Sequence, residues 1–369
     1  GYVAAIKAAK LGLKTAIIEE RRAGGTCLNR GCIPAKAMIH ASTLYREIKE
    51  ADRFGISASD VTYDFEKILE YKEQTTGQLV QGVEQLLQAN GVTRYYGKGT
   101  LFEGKKVKIT GNEEQFVEAE NVILASGSKP LILPIRGMDL PRVLTSDELF
   151  KLSEVPKSLV IIGGVISVEF ATVYSALGSK VTILEAMPRL VPNMDKEIAQ
   201  NLKLILKKRG VESHTSAAVQ GVHMEGDTCV CTFVEKEKEQ TVEAEYVLCA
   251  VGRCPNTDGL FAEGAAPDME RGRVLVNDKF ESSIPGVYAI GDLIFGAQLA
   301  HAASAQGIVV AEQLAGKEPS VNLDVVPGCV YTDPEIASAG ITEDAAKEQG
   351  IKVKTGKFIM SANGKSLIT

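Results

Sequence analysis

The chain carries a stretch of itself twice. Residues 1–20, GYVAAIKAAKLGLKTAIIEE, align with residues 167–186, SVEFATVYSALGSKVTILEA, at an offset of 166 positions. Gly12 falls on Gly178, Lys14 on Lys180 and Glu19 on Glu185. Each copy reads as an alanine-rich helix, a glycine that stops it, and an apolar strand ending on glutamate. That is the second half of a βαβ dinucleotide unit, in which the strand-end acid hydrogen-bonds a ribose hydroxyl. The glycine loop ahead of the helix lays a pyrophosphate on the helix N-terminus. Two copies predict an α/β chain with two Rossmann-like domains, with Glu19 and Glu185 facing the two riboses. Without the repeat, either glutamate would be simply a charged strand end.

A chain of 369 residues exceeds one ordinary core, so two or three domains are expected. Its hydrophobic (45%) and charged (24%) fractions fit a globular protein. A net charge of −6 and a pI near 5.5 argue against nucleic acid as the main partner. No apolar run approaches the roughly 20 residues of a membrane helix, so no membrane partner is expected. No secretory or transit segment is evident. Most of the seven cysteines lie in apolar, strand-like runs, unlike a secreted disulfide framework, so a reducing cytoplasm is the expected compartment. No His/Cys cluster has ligand spacing, and no metal site is expected. Cys229, Cys231, Cys249, Cys254 and Cys329 are expected to be small buried hydrophobes.

Soon after the first strand comes Gly24-Gly25-Thr26-Cys27-Leu28-Asn29-Arg30-Gly31-Cys32-Ile33-Pro34-Ala35-Lys36. The Gly-Gly-Thr entry lets backbone approach a flat ligand closely. Two cysteines five positions apart can bridge if the segment curls into a helical turn. A structural disulfide, half a zinc site and a redox pair are all open on spacing alone. The wording GGTCLNRGCIPAK resembles the active-site segment of the flavoprotein disulfide reductases, and CLNRGCIP is most similar to their dihydrolipoamide-oxidising branch.

The resemblance implies FAD in the first dinucleotide domain, NAD in the second, and Cys27–Cys32 as the redox disulfide. Dihydrolipoamide would attack it at Cys27, releasing Cys32 beside the flavin; the electron pair would pass to FAD and then to NAD. Glu185 disfavours a 2′-phosphate, which points to NAD over NADP. By the same resemblance Lys36 lies against the flavin and pairs with Glu169 from the NAD domain. Gly25, Thr26, Gly99 and the segment Ala125-Ser126-Gly127 would contact FAD. Gly291-Asp292, in SIPGVYAIGD, would hold the ribityl chain. Leu299, Ala300, His301 and Ala302, at the start of a helix, would meet the flavin's pyrimidine edge. Gly163, Gly164, Val219 and Gly252 would contact NAD, with Val219 facing the adenine. Residues 42–91 are expected to form supporting helices with Ile68, Leu79, Val83, Leu86 and Leu87 in the core.

The domain plan implied is an FAD-binding domain at 1–129, an inserted NAD-binding domain at 130–254, a return segment at 255–324 and the start of an α+β dimerisation domain at 325–369. Gly1 takes the place of the last glycine of a GxGxxG loop, so the preceding strand is expected outside this sequence, as is the family's C-terminal His–Glu base. The chain would work as a homodimer, with lipoyl domains of 2-oxo acid dehydrogenase or glycine cleavage complexes as partners. One irregularity stands out. The second loop reads Gly163-Gly164-Val165-Ile166-Ser167 where the family has GGGxIG. Ser167 is expected to push helix from strand, and the short loop to misplace its N–H groups. Two other readings follow: a sister reductase for glutathione or mercury, or a flavin-bound non-catalytic component with an impaired NAD site.

Overall fold

The computed structural model describes residues 1–368. Its second half is organised by a five-stranded parallel sheet in the order Glu212–Thr215, Lys180–Glu185, Ser158–Ile162, Tyr246–Cys249, Val143–Thr145. The central strand, SLVII, is apolar almost throughout because both of its faces are covered. The helix Val165–Ala176 covers one face through Val168, Phe170, Ala171 and Val173. An antiparallel sheet of Ala217–Glu225, Thr228–Glu235 and Lys238–Ala244 covers the other through Val222, Cys231 and Phe233.

In the first half the parallel strands stand as two pairs: Ala16–Glu19 with Thr93–Tyr96, and Val122–Leu124 with Val287–Ala289. The helix Tyr2–Lys10 buries Ala4, Ala5 and Ala8, and Gly12, at φ 88°, turns the chain into the strand. The helix Ala300–Leu314 comes so near that a Cβ on Gly307 would stand 3.0 Å from the Ala4 methyl. Alanine and glycine are therefore what this crossing requires. Ser128–Pro130 and Arg253–Pro255 pair antiparallel where the chain passes between the halves.

Residues 42–91 are less continuously helical than expected. The helix Cys32–Lys49 is followed by a short turn at Ala51–Phe54, and the next long helix begins only at Phe65, capped by Asp64, whose carboxylate accepts from Lys67 N–H at 3.2 Å. That helix, Phe65–Ala89, buries Thr76, Val80, Val83 and Leu87, while Leu79 and Leu86 are exposed. The buried stripe follows the 3.6-residue period one step away from those two leucines. Among the cysteines, Cys229, Cys231 and Cys249 are buried as expected, but Cys254 is half-buried and Cys329 exposed. Cys329 sits on the two-stranded ribbon Gly328–Val330/Ile336–Ser338, and the apolar run around it faces inward only at Val330.

Candidate active site

One cleft of about 2420 Å3 runs between the halves, and most of the residues singled out in the sequence line it. Cys27 ends up opposite Cys32 because the helix Gly25–Arg30 stops at Gly31 and a new helix starts at Cys32. A side chain at Gly31 would crowd the Thr26 carbonyl oxygen (3.1 Å) and Cys27 Cα (3.2 Å). The two cysteines are joined as a disulfide, with Cα atoms 4.7 Å apart. Lys36, one turn further along the same helix face, also lines the cleft.

The repeat extends to its hydrogen bonds. Glu19 accepts from the N–H of Arg21 at 3.2 Å, and Glu185 accepts from the equivalent N–H of Met187 at 2.8 Å. Burial raises the Glu19 carboxyl above its ordinary value, opposed chiefly by the Arg21 N–H. Glu185 accepts a second bond, from Gly164 N–H at 3.0 Å. Gly163 and Gly164 have φ of 68° and 75°, and a methyl group at Gly164 would overlap the Ala250 carbonyl oxygen, so the loop tolerates only glycine there. Ser167 does not force helix and strand apart. It is fully buried, and its hydroxyl turns back to the Gly164 carbonyl oxygen within the first helical turn.

Gly25, Thr26, Gly99, Ala125, Ser126, Gly127, Gly164, Glu169, Gly252, Gly291, Asp292, Leu299, Ala300 and His301 all face the cleft. The Ser126 hydroxyl donates to the Asn256 carbonyl oxygen at 2.7 Å, and His301 Nε2 contacts the Pro327 carbonyl oxygen at 2.7 Å. Three expected residues are not brought there. Ala302 is buried, Gly163 packs against Val251, and half-buried Val219 packs against the core beneath the antiparallel sheet. Val219 precedes the irregularity between Val219 and Gly221, which alters the strand's pairing with its neighbour.

The sequence reading missed a polar chain across the cleft. The Ser128 hydroxyl donates to Asp292, while Arg253 donates to the Ser128 hydroxyl (2.7 Å) and carbonyl (2.8 Å). Arg253 and Arg30 flank Asp147 at 3.7 and 3.3 Å. Arg30 was visible within CLNRGCIP; Ser128, Asp147 and Arg253 carry no local signal, since they meet only through pairing of distant strands. Arg30 Nε and Asp147 Oδ1 are buried without hydrogen-bond partners. Lys36 and Glu169 form no direct ion pair among the described residues. Lys36 lies 3.6 Å above the Tyr331 ring, and Glu169 accepts from Tyr331 N–H at 3.0 Å.

Helices starting at Gly25, Val165 and Ala300 all open on this cleft, and none is capped by the side chain of its own N-cap residue. Uncapped N-termini favour phosphate and electron-rich rings. Three such N-termini around one cleft fit an extended dinucleotide. Glu185 has accepted two bonds and retains lone pairs for a ribose hydroxyl.

A redox-active dithiol beside two nucleotide-type strand ends defines a nucleotide-linked disulfide oxidoreductase. The chain belongs to the pyridine nucleotide-disulphide oxidoreductase family, whose model matches residues 1–307, while residues 326–369 match the dimerisation domain of that family. It is similar to a dihydrolipoyl dehydrogenase of Bacillus subtilis strain 168 (41% identity, all of this chain and 81% of the relative). It is also similar to one of Geobacillus stearothermophilus (42%, all of this chain and 78% of the relative). Among solved structures, LpdA from Mycobacterium tuberculosis superposes with a TM-score of 0.91 at 26% identity, covering 100% of this chain and 82% of that one. No helix among the described residues is long and apolar enough to cross a membrane.

Proposed function

We propose that the protein is a dihydrolipoyl dehydrogenase, oxidising protein-bound dihydrolipoamide to lipoamide and reducing NAD to NADH, with FAD and NAD as its cofactors. The observation that carries this is the Cys27–Cys32 disulfide on the wall of a cleft that also holds Glu19, Glu185 and Asp292. FAD and NAD bound there supply two-electron transfer between a dithiol and a nicotinamide. The protein's own residues do the rest. Cys27 takes the substrate thiolate, since exchange proceeds by thiolate attack on a sulfur. Cys32 is the leaving thiolate, with the Lys36 ammonium one turn away to favour its charge. Glu19 and Glu185 would accept from ribose hydroxyls, and Asp292, bonded by the Ser128 hydroxyl that Arg253 in turn holds, would accept from the ribityl chain.

In this reading residues 1–129 and 255–324 form the FAD lobe, residues 130–254 the NAD lobe, and residues from 325 onward the start of the dimer interface. Lipoyl domains are the natural partners of a cytoplasmic homodimer of this kind. The test is NAD reduction by dihydrolipoamide in the FAD-loaded protein. Turnover that disappears on alkylation of the reduced dithiol supports the proposal, and a bound flavin that neither dihydrolipoamide nor NADH reduces overturns it. The bond from Gly164 N–H to Glu185 favours a second reading, a flavin-bound component with a closed nucleotide loop. Dithiol reduction by dihydrolipoamide with no NADH binding would select it.

A further inference from the structure

Tyr331 lies far in sequence from the disulfide segment, within the part that matches a dimerisation domain. It nevertheless touches both Lys36 and Glu169. The Lys36 ammonium stands 3.6 Å above the centroid of its ring, and its backbone N–H donates to Glu169 Oε1 at 3.0 Å. Its position is rigidly set. Val330, just before it, is fully buried in the main core, the ribbon Gly328–Val330 is paired with Ile336–Ser338, and the Tyr331 ring packs on the same core.

Lys36 needs such support. Burial lowers its affinity for the proton, opposed chiefly by the nearby Glu169 carboxylate. Glu169 is itself pushed upward by burial, which weakens it as a counter-ion; the Tyr331 N–H is the strongest influence drawing it back down. The Tyr331 phenol is raised above its ordinary value by burial, so the ring under Lys36 is neutral. The face of a neutral ring attracts an ammonium through its quadrupole.

We infer that Tyr331 is a positioning residue of the redox site: its ring seats Lys36 as an ammonium and its backbone N–H fixes Glu169, so that the C-terminal segment sets the charge beside Cys32 in its own subunit. This rests on the function proposed above for the chemistry it serves, while the contact itself is testable without turnover. The experiment compares wild type with Tyr331→Phe, which keeps the ring, and Tyr331→Leu, which removes it; Tyr331→Met replaces the leucine variant if that one fails to fold.

The first readout is the pH profile of Lys36 acetylation by acetic anhydride, followed by peptide mass spectrometry on the oxidised protein. Tyr331→Phe should match wild type. Tyr331→Leu should move the midpoint to lower pH, with acetylation at neutral pH roughly fivefold faster. Simple unmasking by a smaller side chain would speed acetylation without lowering the midpoint. The second readout is dihydrolipoamide-dependent NAD reduction, in which Tyr331→Leu should lower kcat roughly fivefold with KM little changed, and Tyr331→Phe should retain it. Identical midpoints in all three proteins overturn the inference. If neither dihydrolipoamide nor NADH reduces the wild-type flavin, the functional proposal fails while the acetylation profile still decides on Tyr331.

Discussion

The N–H of Gly164 donates to the carboxylate of Glu185 across 3.0 Å, fastening the second glycine loop to the strand end beside it. Loop and acid are thus preset as one unit before any nucleotide arrives. Replacing Glu185 with alanine removes the ribose acceptor and frees the loop in the same step. A hydrogen bond to a charged group contributes about 1.5–3 kcal/mol, so NADH should bind roughly tenfold or more weakly to Glu185→Ala. Fluorescence titration with NADH measures it, and unchanged affinity would place the nucleotide elsewhere.

Ser167 makes its own prediction. Its buried hydroxyl holds the Gly164 carbonyl, so Ser167→Gly loses that bond and adds backbone freedom to the first helical turn. The loss should be ~1–2 kcal/mol in stability, with no gain in NADH affinity, although the sequence then matches the usual loop more closely. Denaturant unfolding alongside NADH titration tests both halves; tighter NADH binding would show that serine was an obstruction after all.

Thiol counting checks the disulfide directly. The protein has seven cysteines, and five are free when Cys27 and Cys32 are joined. Under denaturing conditions the oxidised protein should titrate five thiols and the reduced protein seven. Cys27→Ser and Cys32→Ser should each cut turnover with dihydrolipoamide by roughly three orders of magnitude or more, since neither sulfur alone can complete the exchange. Seven thiols both before and after reduction would mean that no disulfide forms, and would remove the pair from the chemistry.

Acid stability is tied to Glu312. Lys7 at 2.7 Å, together with the Ser320 N–H and hydroxyl, draws its carboxyl down to about 2 from 4.5. A depressed carboxyl contributes stability that is present above the unfolded-state value and lost as pH falls. Wild type should therefore exceed Glu312→Gln in stability at neutral pH, and the gap should close as pH drops from 4.5 towards 2. Urea unfolding across that window measures it. A gap that widens in acid contradicts the assignment.

The outline of this site was legible because its strongest signals are local. The repeat placed Glu19 and Glu185 at strand ends, and GGTCLNRGCIPAK placed two cysteines within one helical break. What escaped the sequence depends on distant pairing. Ser128 meets Arg253 only through an antiparallel crossing, and Tyr331 reaches Lys36 from the far end of the chain. Leu79 and Leu86 were misjudged because helical spacing fixes a period and not which stripe faces inward. Cys329 was misjudged because an apolar run in a two-stranded ribbon has only one covered side. Ser167 was expected to obstruct; a helix's first turn offers a hydroxyl a nearby carbonyl, and the side chain took it.

Gly31 has a consequence for the reduced protein. The break that brings Cys27 to Cys32 is a feature of the backbone, one helix ending and the next beginning at a residue with no room for a side chain. Reduction therefore cuts the bond without parting its ends. The two thiols remain neighbours at an effective concentration far above that of any small thiol in solution. A mixed disulfide formed at one of them is resolved by the other before a second outside molecule can arrive, which makes the pair a two-electron gate that small monothiols do not hold open.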